Sequence, residues 1–209
     1  MPNLVLFFLV LIISSVSVAN TVNSGVELRK IHLDTIEYKE SNIYVFKPDI
    51  YLSFNHFWGS SNKDFGKKFA VLKRSSNNYK SLYESAGSGD SYILEPSFFS
   101  SDYMGGSLLV LAEVGTEYSW GLRVFLLRDS LEIEDLGTLD VAVLPESEYG
   151  DGTVSAVAYI TIRENGETYE FSFSKDLVFD PGGRNEKLVK KENITYFYNG
   201  KSLELIMKN

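Results

Sequence analysis

Few residue types in this chain can support acid–base or nucleophilic catalysis. The sequence contains no cysteine and two histidines, His32 and His56. Thiolate nucleophiles, thiolate metal sites and redox dithiols are therefore excluded, and a serine triad would need one of the two histidines. His32 lies between Ile31 and Leu33 in a predicted strand, which is typical of a half-exposed sheet residue. His56 lies in an aromatic turn and is the better candidate for a functional residue.

Carboxylate chemistry stays open, because glycoside hydrolysis needs two acidic side chains that any part of a chain can supply. The chain has 28 acidic residues, so this requirement alone does not discriminate. Acidic residues close to aromatic ones are the best candidates, namely Glu117, Asp102 and Asp90. The alternative is that exposed acids keep a sheet protein soluble and protect its edges. We favour that alternative and predict no catalytic residue.

An acidic loop, residues 145–152, has the composition of a calcium site but not its spacing. Hard cations bind several oxygens from one short loop, and Glu146, Glu148 and Asp151 fall within this one. In the EF-hand pattern the third acid directly precedes a glycine, whereas here Gly150 comes before Asp151. A solvated turn is the favoured interpretation, and the sequence predicts no metal and no cofactor.

Aromatic residues are the strongest sign of a binding surface. They make up 14% of the sequence, and many lie in predicted turns rather than in strands. Exposed aromatic rings release water on contact and lose little conformational entropy, so they often anchor protein or sugar partners. The alternative is that they close the ends of the sheets. The predicted binding residues are His56, Phe57, Trp58, Tyr103, Tyr118 and Trp120.

The net charge of −8 narrows the class of partner. An acidic surface repels phosphate backbones, so nucleic acid is not an expected partner. The main hypothesis is a binding module for a protein partner, such as an inhibitor or immunity protein whose acidic surface attracts a basic toxin. Two alternatives stay open: a carbohydrate-binding or carboxylate-dependent glycan-active protein, and a structural protein of the cell envelope. No oligomeric state follows from the sequence.

The first residues predict where the protein works. An apolar run over residues 4–13 leads through serines to Ala19, and no charged side chain precedes Glu27. This pattern is typical of a secretory signal peptide over residues 1–19, with Ser17 and Ala19 at the positions where the peptidase requires small residues. We expect export to the periplasm or the medium, without stable membrane insertion after cleavage. The absence of cysteine favours a bacterial host over a eukaryotic one.

The remaining residues, 20–209, predict a single all-β domain, and the loop at residues 145–152 is the best candidate for a seam within it. Short apolar runs recur between turn residues. This favours an antiparallel β-sandwich or a barrel-like fold with several hairpins, after an N-terminal signal helix. Residues 107–114 are almost all apolar, as expected of a strand that is covered on both faces.

Two Asn-Gly pairs, at residues 165–166 and 199–200, predict hairpins with two-residue type I′ turns. Counting outward from each turn gives the cross-strand partners. The predicted pairs are Ile162 with Tyr169, Ile160 with Phe171, Tyr196 with Leu203, and Ile194 with Leu205. A third hairpin is predicted about Gly137, between residues 131–135 and 138–144. The best helix candidate after the signal segment is residues 64–72.

Overall fold

The computed structural model describes residues 25–38, 41–54, 65–76, 78–101, 107–146 and 152–208. Within these ranges the chain is all-β, as predicted, with two short 3-10 helices at Ala156–Tyr159 and Lys191–Asn193. In chain order the strands are β1 (Val26–Glu27), β2 (Arg29–Ile31), β3 (Thr35–Tyr38), β4 (Ser41–Lys47), β5 (Ile50–Ser53), β6 (Ala70–Ser75), β7 (Asn78–Glu84), β8 (Ile93–Ser100), β9 (Leu108–Gly115), β10 (Ser119–Leu127), β11 (Ile133–Leu139), β12 (Val141–Val143), β13 (Val154–Ser155), β14 (Ile160–Asn165), β15 (Thr168–Phe173), β16 (Leu177–Phe179), β17 (Lys187–Val189), β18 (Ile194–Tyr198) and β19 (Leu203–Met207). The predicted signal peptide, residues 1–19, lies outside the described residues.

The strands form four antiparallel sheets, which we name by position. The central sheet has the order β11-β10-β9-β8-β2, and the C-terminal sheet has the order β1-β14-β15-β18-β19. The N-terminal sheet runs β3-β4-β5-β6-β7, and the small sheet runs β13-β12-β16-β17. Consecutive strands pair in antiparallel fashion throughout the N-terminal sheet and from β8 to β11.

Apolar residues cover both faces of the central sheet. Leu109 and Leu111 of β9 belong to one buried cluster, which also contains residues of the C-terminal and small sheets. Leu108 and Val110, on the opposite face of the same strand, belong to a second cluster with residues of the N-terminal sheet. Side chains alternate between the two faces along a strand, so an apolar residue at every position requires burial on both sides. The structure confirms this prediction for β9.

The first Asn-Gly hairpin forms, but its predicted register is wrong. Asn165 pairs with Thr168, so the central turn residues begin at Gly166. Gly166 has a φ of +62°, which suits the first central position of a type II′ turn. The Thr168 hydroxyl donates a hydrogen bond to the Asn165 carbonyl oxygen at 2.9 Å, which closes the turn. Ile162 therefore lies opposite Phe171, two residues beyond its predicted partner.

The second Asn-Gly hairpin is displaced in the same way. Tyr198 lies opposite Leu203, so the loop contains four residues rather than two. The Asn199 side-chain oxygen accepts hydrogen bonds from the backbone N–H groups of Lys201 at 2.9 Å and Ser202 at 3.1 Å, which favours the longer loop. The observed pairs are Ile162 with Phe171, Ile160 with Phe173, Tyr196 with Leu205, and Ile194 with Met207. Both displacements are by two residues, so each side chain keeps its predicted face.

The predicted hairpin about Gly137 is wrong, because residues 133–139 form the continuous strand β11. Val124 pairs with Gly137 and Phe125 pairs with Asp135, which leaves one extra residue in β11 as a β-bulge. The φ of Gly137 is +111°, a backbone conformation that glycine adopts at no steric cost. The glycine therefore marks an irregularity within a strand rather than a turn between strands.

The predicted helix over residues 64–72 is also wrong. Its described part contains no helix, and β6 begins within it at Ala70. Apolar residues at Phe69 and Val71 fit a strand with one face on the second cluster.

The small sheet contains strands from both sides of the predicted seam. It joins β12, which precedes the acidic loop at residues 145–152, to β13 and β16, which follow that loop. The single-domain organisation stays a prediction.

Candidate functional site

The structure describes two of the six predicted binding residues. His56, Phe57, Trp58 and Tyr103 lie outside the described residues, whereas Tyr118 and Trp120 lie within them.

Tyr118 is 40% exposed and lies in the turn between β9 and β10. Its ring lies against Gly152, where a Cβ atom would overlap it. Trp120 is half-buried in β10, at a break in the register with β9. The other histidine of the chain, His32, is exposed and follows β2 rather than lying within it.

A pocket of about 380 Å³ lies along one edge of the central sheet. We call it the β8-edge pocket; Asn42, Tyr44, Phe54, Lys67 and residues 92–96 line it. Strand β2 pairs with β8 only at residues 98–100, so in the described chain the edge of β8 before them has no neighbouring strand. This volume is at the lower end of the range for small-molecule pockets, about 300–1,000 Å³.

The floor of the β8-edge pocket is aromatic and firmly packed. The Tyr44 ring meets the rings of Phe54 and Phe98 edge to face, with centroids 5.8 Å and 5.0 Å away. Phe54 in turn stacks on Phe69, at 5.0 Å and an interplanar angle of 21°. Phe54, Phe69 and Phe98 are all buried. Such contacts hold the rings in one arrangement, so the floor exists before any ligand binds.

The polar groups of the pocket come from separate parts of the chain. Asn42 and Tyr44 are two residues apart on β4 and therefore share a face. The backbone of Lys67 is fixed by a hydrogen bond that its carbonyl oxygen accepts from the Ser88 N–H at 2.9 Å. Glu95 is exposed on β8, and its charge, after burial, is the second cause of the raised pKa of Tyr44. Residues that carry an amide, a phenol, an ammonium and a carboxylate thus line the same pocket.

Tyr92 stands at the rim of the pocket and is 67% exposed. Its N–H donates a hydrogen bond to the carbonyl oxygen of Gly115 at 2.9 Å, which fixes its backbone at the end of β9. The buried Ser91 hydroxyl reinforces this corner, because it accepts a hydrogen bond from the Gly115 N–H at 2.7 Å. Tyr118 follows Gly115 by three residues. The exposed rings of Tyr92 and Tyr118 therefore lie at the same end of the central sheet.

A pair of carboxylates lies beside this end of the sheet. Glu95 and Glu113 are directly opposite each other on β8 and β9, and like charges in that position are destabilising. Burial raises the pKa of Glu113, the hydroxyls of Ser119 and Ser155 lower it, and the charge of Glu95 raises it further. The net effect is a Glu113 pKa above the ordinary value of 4.5.

Replacing Glu113 by glutamine is expected to raise the thermal midpoint at pH 7 by about 2 °C. A carboxyl whose pKa is higher in the folded state stabilises the fold below its unfolded-state pKa, near 4.5, and loses that contribution as the pH rises through the folded-state pKa. The difference between Glu113→Gln and wild type should therefore shrink as the pH falls below 4.5. Thermal melts of both proteins, from pH 7 to below pH 4.5, measure this difference in thermal midpoint. The exposed Glu117, changed to glutamine, controls for net charge; a Glu113→Gln difference that does not vary with pH would contradict the assignment.

The two carboxylates do not form a catalytic pair within the pocket. Of the described residues, Glu95 lines the pocket and Glu113 does not. Glu113 instead faces the hydroxyls of Ser119 and Ser155, between the central and small sheets. The acidic and histidine side chains of the described ranges form no cluster of three or more that could hold a metal ion.

Sequence reasoning missed the residues that line the pocket. Asn42, Tyr44 and Glu95 lie on strands that are separated in the chain, and no local spacing connects them. One usable signal was present: Pro96 lies within an apolar segment, and proline in a strand is typical of a sheet edge because it lacks an N–H. Asp90 is an acid close to Tyr92 in the sequence, but of these two the tyrosine is the residue that lines the pocket.

Within the described ranges, the structure has no helix of the length and apolar character needed to cross a membrane. No protein-family model matches the chain, and neither the curated proteins nor the solved structures contain a match to it.

Proposed function

We propose that this chain is an exported binding module that holds its ligand or partner in the β8-edge pocket. Export is supported by the apolar segment and small residues within residues 1–19. Binding is supported above all by one observation: Tyr44 and Phe54, whose rings meet edge to face at 5.8 Å, line the same pocket as the exposed residue Tyr92. Large exposed rings beside a preformed cavity are typical anchors of bound partners.

The composition of the pocket favours binding over catalysis. Glu95 is the only carboxylate among the described lining residues, and no histidine is among them. Acid–base hydrolysis of a glycoside needs two carboxyl groups facing the same bond. A single carboxylate beside an amide and an ammonium can instead orient a ligand through hydrogen bonds.

Two further properties of the protein belong to the same proposal. The inhibitor or immunity type of module is supported by the net charge of −8, which would attract a basic protein partner. A sandwich arrangement of the sheets is supported by the two buried clusters, which involve opposite faces of the central sheet.

Replacing Tyr92 by alanine is expected to weaken partner binding about tenfold or more, because an aromatic anchor at a pocket rim contributes a large share of the binding energy. Comparative pull-downs from extracts of the native host, with immobilised wild type and variant, measure the loss. Leu188→Ala is the matched control, since Leu188 is 60% exposed on β17 and does not line the pocket. A partner recovered equally by wild type and Tyr92→Ala would argue against the pocket as the binding site.

A further inference from the structure

We propose that the β8-edge pocket binds a short, uncharged oligosaccharide, with one sugar ring on Tyr92 and its hydroxyl groups on Asn42 and Glu95. This inference rests on the proposed binding function and assigns the chemical class of its ligand. It follows from the size of the pocket, its aromatic surface, the balance of its charges and the nature of the adjacent strand edge.

The size of the pocket favours a small ligand over a protein surface. Its volume of about 380 Å³ is that of a site for a small molecule or for the end of a chain. A stable protein partner instead covers about 800 Å² on each side of the interface. A ligand of one or two sugar units matches the cavity, and further units of a longer glycan would extend into solvent.

The aromatic groups match the apolar face of a sugar. The face of an aromatic ring carries partial negative charge and attracts polarised C–H groups, which a pyranose ring presents on its flatter side. Tyr92 offers such a face to solvent, at 67% exposure. Tyr44 and Phe54 extend the apolar surface inward, and Tyr44 adds a hydroxyl. A ring can therefore lie on the rim while its edge enters the cavity.

The polar groups match a neutral ligand rich in hydroxyls. Asn42 donates and accepts hydrogen bonds, Glu95 accepts them, and Lys67 donates them, so a sugar hydroxyl finds either role. The charges of Glu95 and Lys67 are opposite, which leaves the lining without net charge. The whole protein carries −8, which disfavours phosphorylated or sulfated sugars. Both facts favour an uncharged glycan.

The adjacent strand edge disfavours the main competing ligand, an extended peptide. A peptide could pair with the open edge of β8 and add a strand to the central sheet. Pro96 lies in this stretch and lacks the N–H that such pairing uses, so the edge is blunted where the pocket lies. Side-chain recognition of a sugar does not need that N–H.

Saturation-transfer NMR and calorimetric titration, with the signal-free chain over residues 20–209, test this assignment. The probes are N,N′-diacetylchitobiose, cellobiose, maltose and lactose at up to about 10 mM. A sulfated heparin disaccharide and the peptide acetyl-Ala-Val-Thr-Val-Ala-amide are the competing ligands. We expect at least one neutral disaccharide to bind, with saturation transferred to its ring C–H protons, and the sulfated sugar and the peptide not to bind.

Variants then place the sugar in the pocket. Tyr92→Ala is expected to weaken binding about tenfold or more, Tyr92→Phe to retain it, and Asn42→Ala to weaken it about fivefold. Leu188→Ala should bind like wild type. Binding of none of the neutral sugars, or sugar binding that Tyr92→Ala leaves unchanged, would overturn the assignment.

The outcome also separates this inference from the broader proposal. If the peptide or a protein from the native host binds in a manner that depends on Tyr92, and the sugars do not, the pocket is a binding site with a different ligand. If nothing that binds depends on Tyr92, both the inference and the proposed function are wrong. Circular dichroism of each variant shows whether it is folded, and the exposed position of Tyr92 makes its variants suitable for this test.

Discussion

Replacing Phe125 by alanine is expected to lower the free energy of unfolding by about 3–5 kcal/mol. Phe125 is fully buried in the cluster between the central and N-terminal sheets. Its ring centroid lies 4.7 Å from that of Phe69, and the Arg123 guanidinium lies over it at 5.0 Å. Truncation removes these contacts and leaves a cavity that rigid sheets on both sides cannot close. Chemical denaturation of wild type and variant measures the loss.

Two controls make this result specific to the core. Phe125→Leu keeps most of the buried apolar volume and should cost about 1–2 kcal/mol. Tyr92→Ala removes a ring of similar size from a position that is 67% exposed, and should change the stability by about 0.5 kcal/mol or less. If Phe125→Ala were no more destabilising than Tyr92→Ala, the second cluster would not be a core.

Replacing Gly115 by alanine is expected to destabilise the protein by about 3 kcal/mol and to abolish ligand binding. A Cβ atom at Gly115 would overlap the carbonyl oxygen of Tyr118, which is backbone and cannot rotate away. The Gly115 N–H donates a hydrogen bond to the Ser91 hydroxyl at 2.7 Å. The Gly115 carbonyl oxygen accepts one from the Tyr92 N–H at 2.9 Å. Any backbone shift that relieves the overlap therefore moves the rim of the pocket.

The matched control for Gly115→Ala is Gly183→Ala. A Cβ atom at Gly183 would overlap the Asp180 carboxylate, which is a side chain and can turn aside at the cost of the hydrogen bond that it accepts from the Asn185 N–H at 2.8 Å. We therefore expect a cost of about 1 kcal/mol or less there, with ligand binding unchanged. Thermal melts and binding titrations on both variants provide the comparison. Equal effects of the two substitutions would show that the backbone contact at Gly115 is unimportant.

The hairpins illustrate why the class of fold was predictable and the register was not. The alternation of apolar and polar residues around Asn165 and Asn199 identifies the strands and their buried faces. A displacement by two residues leaves every side chain on the same face, so the pattern cannot distinguish Tyr169 from Phe171 as the partner of Ile162. Local hydrogen bonds in the turns decide between them, and these depend on the full loop conformation.

The predicted binding residues and the observed pocket overlap little, because the pocket depends on contacts between distant parts of the chain. Exposed aromatics predict that some turn residues bind a partner, and Tyr118 does lie at the end of the central sheet that carries the pocket. Neither Tyr118 nor Trp120 is among its described lining residues. Asn42, Tyr92 and Glu95 form the pocket because two sheets pack together, and sequence spacing does not record which sheets pack together.

Residue types and their periodicity are enough to predict that this chain is all-β, lacks thiol chemistry, carries a net acidic charge and contains a strand buried on both faces. These properties follow from residue types and from periodicity, which act within a few residues. The strand registers, by contrast, became known from the folded chain, as did the bulge at Gly137, the opposed carboxylates Glu95 and Glu113, and the pocket beside β8. Each of these depends on contacts between residues distant in the chain, and those contacts exist only once the sheets have packed.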